Sequence, residues 1–294
     1  MQELVFLKLG GSLITDKTQP YTARLDKLAD LASQIKHALQ SRPDLLLVLG
    51  HGSGSFGHTA AKKYGTREGP PLSPPPFSSK IGGETAAPLR LPPSSTKLGG
   101  EKKYWGGFAE VWYQATTLNR YVIQALYEAG IPAMTFSPVA SVWSDDGQVA
   151  QWNLSQIKYA LEKGIVPVVH GDVIFDQTKG GTILSTEELF EHLARELHPG
   201  RILLAGLEEA IWADFPARKH RVRKVTRESF IEVSKSLGAA TGADVTGGME
   251  SKVRQMLELA EAVPRLTVHI FSGENPDFLR KALLGEHLGT LIEP

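Results

Sequence analysis

Six short aliphatic runs, each separated from the next by chain that can hold a helix, limit the folds open to this sequence more than any other feature. They are Val5–Leu9, Leu45–Leu49, Ala133–Phe136, Ile165–Val169, Ile202–Ala205 and Thr267–Phe271. Polar residues hardly interrupt them, as expected of strands covered on both faces. Helical patterns cover Arg24–Leu39, Phe108–Glu128, Leu154–Glu162, Thr186–Glu196, Met249–Ala262 and Pro276–Leu284. Such alternation predicts an α/β fold: an open, mostly parallel sheet sandwiched between helices.

Residues 69–103 break the pattern, because Pro, Ser and Gly dominate there and large apolar residues are few. Such a stretch cannot bury enough surface to offset its ordering entropy. It reads as a mobile insertion, or alternatively as an active-site lid. The 294 residues suffice for a sizeable core. Lys plus Arg and Asp plus Glu both number 32, so nothing favours general nucleic-acid binding. The absence of cysteine excludes disulfides, thiolate nucleophiles and Cys-ligated zinc. No apolar run approaches the roughly 18 residues of a membrane helix. Met1–Gly10 reads as a strand rather than a signal peptide, and the expected location is cytoplasmic.

Three glycine-rich segments carry the chemistry. Lys8-Leu9-Gly10-Gly11-Ser12 ends the first strand, with Lys17 close behind. Consecutive glycines let backbone N–H groups approach a phosphate. His51-Gly52-Ser53-Gly54-Ser55-Phe56-Gly57-His58 follows the second strand. Its glycines match G-x-G-x-x-G, but the acidic strand a dinucleotide site needs about 20 residues on would fall in the Pro-rich stretch. What remains is an anion site leading into a short helix that begins near Thr59. The third segment, Thr241–Met249, contains Asp244, Gly247 and Gly248 and precedes Lys252 in the first turn of a helix. The helix dipole disfavours a cation there, and a bound polyphosphate would reverse the sign. No G-x-x-x-x-G-K-[ST] loop is present, nor the H-R-D and D-F-G elements of protein kinases. Taken singly, these features have plainer readings: a tight turn at Gly10-Gly11, a capping or core histidine at 58, a surface lysine at 17, a turn cap at Asp172.

Taken together, the loops resemble the amino acid kinase superfamily, and within it the isopentenyl phosphate kinases. The resemblance rests on Lys8–Ser12 with Thr15-Asp16-Lys17, on Gly52–His58, on His170-Gly171-Asp172-Val173 with Ile183-Leu184-Ser185, and on Asp244–Met249 with Lys252. It implies transfer of the γ-phosphoryl group of ATP, accompanied by Mg²⁺, to isopentenyl phosphate. It also implies an acceptor-binding lobe over 1–184, a nucleotide-binding lobe over 185–294, and a homodimer. By the same resemblance, Lys8, Lys17 and Lys252 bind nucleotide phosphates, and Gly10, Gly11, Ser12 and Ser53 line the transferring group. Gly52, Gly57, His58 and Gly171 hold the acceptor phosphate, and Asp214, Gly247 and Gly248 lie on the nucleotide side. Relatives usually carry Asp where this chain has Glu187, an acid thought to orient the lysines. A fosfomycin-type kinase and a non-catalytic nucleotide sensor remain open as alternatives, and Phe108, Trp112 and Ile174 are either core residues or the lining of a prenyl-tail pocket.

Overall fold

A computed structural model of the chain describes residues 2–64, 66, 69–70, 98–238 and 248–294. The expectations for Asp244 and Gly247, and for 71–97 of the insertion, lie outside the described residues. The chain opens with β1 (Glu3–Leu9), the single turn α1 (Gly11–Ile14), α2 (Leu25–Ser41), β2 (Leu45–His51) and α3 (Gly54–Tyr64). There follow α4 (Leu98–Glu128), β3 (Ala133–Thr135), α5 (Pro138–Ser141), β4 (Val142–Asp145), β5 (Gln148–Trp152), α6 (Ser155–Glu162) and β6 (Val166–His170). Next are β7 (Asp172–Asp176), β8 (Gly180–Leu184), α7 (Thr186–Leu197), β9 (Arg201–Gly206), β10 (Ile211–Trp212), β11 (Arg221–Val222) and β12 (Lys224–Val225). The chain ends with α8 (Arg227–Gly238), α9 (Gly248–Ala262), β13 (Thr267–Ser272), α10 (Phe278–Leu283) and β14 (Thr290–Ile292).

All six expected strands lie in one eight-stranded sheet of order β12-β14-β13-β9-β1-β2-β6-β3. Its pairings are parallel except β13 with β14. Strand residues alternate between two cores. Val5, Leu7 and Leu9 face Leu31 and Ile35 of α2, Leu118 and Val122 of α4, and Leu279 and Leu283 of α10. Phe6 joins Phe190 and Leu193 of α7 and Val253 and Met256 of α9 on the other face. Helices on both faces are what the uninterrupted aliphatic runs require.

A second sheet of order β5-β4-β7-β8 was not anticipated. It stands on hairpins whose strands are short and partly polar. Asp176 ties them together: its carboxylate accepts from Ser144 Oγ at 2.7 Å and from the N–H groups of Gly147, Thr178 and Lys179 at 2.7–3.0 Å. The helix expected from Phe108 starts ten residues earlier, at Leu98, so the last part of the 69–103 stretch is helical rather than loop. Tyr104 and Phe108 pack with Val173 of β7, which anchors that extension. Gly107 permits the close crossing of α3 and α4, since a Cβ there would lie 2.3 Å from Tyr64. Among the described residues, no helix is long and apolar enough to cross a membrane.

Candidate active site

The site lies where the parallel strands end and the chain reverses its direction of travel across the sheet. β2 and β6 lie on one side of β1, and β9 and β13 on the other. Open α/β sheets place their ligand crevices at such a switch point, outside the carboxyl ends of the strands.

Strand periodicity decides where Lys8 points. Two residues beyond Phe6, it shares that residue's face, and Phe6 meets Phe190 of α7 at 5.1 Å between ring centroids. Glu187 precedes Phe190 by three residues and so occupies the same face of the helix. Lys8 Nζ therefore donates to Glu187 Oε1, with only 8% and 6% of the two residues exposed. Lys252, from the first turns of α9, brings its Nζ to 3.9 Å from the same oxygen. Burial works to raise the Glu187 pKa, but the charges of Lys8 and Lys252 overcome it and hold the carboxyl below its ordinary range. One buried carboxylate thus gathers two cations from distant parts of the chain.

The first two glycine loops pack backbone against backbone. A Cβ on Gly11 would lie 2.4 Å from Gly54 N, and one on Gly52 would lie 2.9 Å from Gly11 N. Thr15 joins them, its hydroxyl donating to Gly11 O at 2.7 Å and accepting from Ser55 N at 3.0 Å. α3 starts at Gly54 rather than near Thr59. Ser53 closes its first turn, its carbonyl accepting from Phe56 N and Gly57 N. Gly57 and the exposed His58 therefore belong to the opening turn. Four of the expected glycines commit their N–H groups internally: Gly10 to Ala205 O, Gly52 to Leu9 O, Gly57 to Ser53 O, and Gly171 to Thr186 Oγ1. What they offer a ligand is close approach, not donors.

Beneath the loops, the last residues of β2 and β6 are paired histidines. His51 and His170 stack at 5.2 Å with 22° between their planes. Asn119 Nδ2 donates to Thr135 Oγ1, so its Oδ1 accepts from His51 Nε2 at 3.1 Å. Burial lowers the pKa of both rings, and that of His170 falls to about 3 with the His51 ring adding to the effect. His170 is therefore neutral at pH 7.

The profile of the amino acid kinase family matches residues 3–272. The chain belongs to the amino acid kinase family. Its relatives there include the isopentenyl phosphate kinase of Methanocaldococcus jannaschii, 30% identical with 99% of this chain and 98% of that protein covered. The isopentenyl phosphate kinase of Methanothermobacter thermautotrophicus is 32% identical, with 98% of each covered. Crystal structures of isopentenyl phosphate kinase superpose with a TM-score of 0.74 at 28% identity, over 98% of this chain and 99% of theirs. A UMP kinase from Bacillus anthracis shares the fold at a TM-score of 0.58 and 14% identity, over 99% and 96% of the two chains.

In this amino acid kinase, the fold brings Lys8 and Lys252 together through Glu187. It also brings Gly10, Gly11, Ser12, Gly52, Ser53, Gly57 and His58 into one group of loops, with Gly171 at the adjoining strand end. Lys17 lies on an exposed bend after α1. Gly248 opens α9 with a φ of +69°, which explains glycine there. Asp214 uses its carboxylate within its own loop, accepting from Lys219 N, His220 N and His220 Nδ1. Phe108 and Ile174 are buried in core, and Trp112 is 40% exposed. Asn119 and Thr186 escaped the sequence reading, because a lone polar residue carries no periodic signal.

Asp172, the first residue of β7, is buried, and burial raises its pKa well above the usual carboxylate range against a single hydrogen bond from Val173 N. The folded protein keeps this proton after the unfolded chain, titrating near ~3.9, has released it. Asp172 therefore costs stability increasingly as pH rises above about 4. The melting temperature of Asp172→Asn should gain on that of the parent between pH 4 and pH 7. Parallel melting curves across that range would contradict the assignment.

Proposed function

We propose that this chain is an ATP-dependent kinase that phosphorylates isopentenyl phosphate, yielding isopentenyl diphosphate and ADP. The observation that carries this reading is the convergence of Lys8 and Lys252 on buried Glu187, beside the glycine loop that runs into α3 and carries His58. The names of relatives 30–32% identical over nearly the whole chain supply the acceptor.

The acceptor is a phosphate monoester with a second pKa near ~6, so at neutral pH it is already a nucleophilic anion. No general base is needed. Its oxygen attacks the γ-phosphorus, and the bond from that phosphorus to the β–γ bridging oxygen breaks, releasing ADP. The barrier to overcome is the approach of two anions, which positioning and fixed positive charge lower. Lys8 and Lys252 neutralise charge on the β- and γ-phosphates, and Lys17 adds to it from the exposed bend. The N–H groups of Gly11, Ser12 and Ser53 line the transferring group. Gly52, Gly57 and Gly171 let the acceptor phosphate come close, and His58 donates a hydrogen bond to it. Among the described residues, no group of three or more His, Asp or Glu side chains can cage a metal. In this reading Mg²⁺ would enter with ATP, held largely by phosphate oxygens and water as that ion prefers. In this reading residues 1–184 hold the acceptor, residues 185–294 hold the nucleotide, and the enzyme works as a cytoplasmic homodimer.

ADP release from ATP, Mg²⁺ and isopentenyl phosphate tests the proposal, with fosfomycin and an acceptor-free sample alongside. Turnover with isopentenyl phosphate, lost in His58→Ala, is the expected result. Turnover with fosfomycin alone would overturn the substrate, and ATP binding without turnover on any acceptor would overturn the enzyme.

A further inference from the structure

Thr186 takes no part in the mechanism above, yet it occupies the junction between the two halves of the site. It is the first residue of α7 and is 1% exposed. A capping box fixes its place: Ser185 Oγ accepts from Glu188 N at 3.2 Å, and Glu188 Oε2 accepts from Ser185 N at 2.5 Å. Its methyl lies over Gly50, where a Cβ would come within 2.6 Å of Thr186 Cγ2. The side chain is therefore held at both ends, leaving its hydroxyl in a single place.

That hydroxyl sits where the ladder between β2 and β6 opens. In register His51 pairs with His170, and the bond beyond, from Gly171 N to His51 O, has stretched to 3.4 Å. Thr186 Oγ1 enters the gap. It accepts from Gly171 N at 3.0 Å and donates to His51 O at 2.6 Å. A hydroxyl can do both at once, which neither a methyl nor a carboxylate can. Gly52 and Gly171 follow directly on the two strands it joins. Glu187, its neighbour in sequence, holds Lys8 and reaches Lys252.

We infer that Thr186 is a positioning residue for phosphoryl transfer. Its hydroxyl fixes the acceptor loops, at the ends of β2 and β6, in register with the lysines gathered by Glu187. The inference rests on the kinase reading above. A displacement of about 1 Å between reacting groups costs on the order of 10²-fold in rate, so the bridge acts on the chemical step more than on nucleotide affinity.

The test compares Thr186→Val, which keeps the shape without the hydroxyl, with Thr186→Ser, which keeps the hydroxyl without the methyl. Steady-state kinetics with ATP and isopentenyl phosphate are read beside thermal melting of each variant. Thr186→Val should lose at least about tenfold in kcat while its KM for ATP stays within about threefold, and Thr186→Ser should retain kcat within about threefold. Should Thr186→Val not fold, Thr186→Ala against Thr186→Ser carries the same contrast. Equal activity in the hydroxyl-bearing and hydroxyl-free variants, or equal loss in both, would overturn the inference while the wild type's turnover left the kinase reading standing. A wild type silent with isopentenyl phosphate would overturn both.

Discussion

Lys8→Met should lower kcat by about 10²–10³, the usual cost of removing one preorganised donor from a developing charge. Methionine keeps much of the length and apolar stem of lysine, so the volume between β1 and α7 stays filled. Its loss of charge has two consequences. The phosphates lose a lysine proposed to bind them, and Glu187 loses its hydrogen bond from Lys8 while keeping Lys252 at 3.9 Å. Breaking a buried pair typically costs about 3–5 kcal/mol; the remaining lysine places the expected loss at the lower end. The pH dependence separates the two consequences. With Lys8 present the Glu187 pKa lies below its ordinary value, so this carboxylate stabilises the fold above the unfolded pKa of about 4.3, and that contribution is lost as pH falls. In Lys8→Met, burial dominates and raises the pKa instead. The stability deficit of the variant should thus be largest near pH 7 and shrink on acidification. Denaturant melts at several pH values measure it, and a deficit that does not change with pH would mean that Glu187 is not held by Lys8. Arginine at position 8 should not rescue the rate, since its planar fork does not fit a site built around one ammonium.

Gly11→Ala should be nearly as damaging although it removes no functional group. Its new Cβ would lie 2.4 Å from Gly54 N, 2.6 Å from Gly54 Cα and 3.3 Å from Gly52 C. All three are backbone atoms, so no rotamer change relieves the contact, and one of the two loops must move. Overpacking of this kind costs about 1–3 kcal/mol. The more sensitive readout is activity, because the loops that must part are the ones proposed above to hold the transferring and accepting phosphates; about 10²-fold loss in kcat/KM is expected for a shift of ~1 Å. Gly106→Ala is the control. It lies mid-helix in α4, nothing stands within 4 Å of its Cβ, and it should raise stability by roughly 0.5–1 kcal/mol without touching the rate. If Gly11→Ala behaves like Gly106→Ala, the two loops do not pack as described.

Much of this protein was legible in its residues alone. The near-continuous aliphatic runs read as strands buried on both faces, and all six lie in the large sheet. The helical stripes placed six helices to within a few residues at most ends, and the first two glycine loops fell at strand ends as read. One signal was present and passed over: Asp146-Gly147 between β4 and β5 has φ values of 48° and 82°, the positive pair that a two-residue hairpin turn needs. Other features had no local signal. The second sheet depends on Asp176 collecting donors from Ser144 and Gly147, some 30 residues away in sequence. The early start of α3 follows from Thr15 holding Ser55 N. That Glu187 serves two lysines, and that Thr186 bridges two strands, depends on α7 lying across the ends of β1, β2 and β6. Periodicity records which face of an element is apolar, because burial repeats with the geometry of the backbone. It holds no record of which single polar side chain from a distant element will meet that face, since such a contact is made once, and only after the layers have packed.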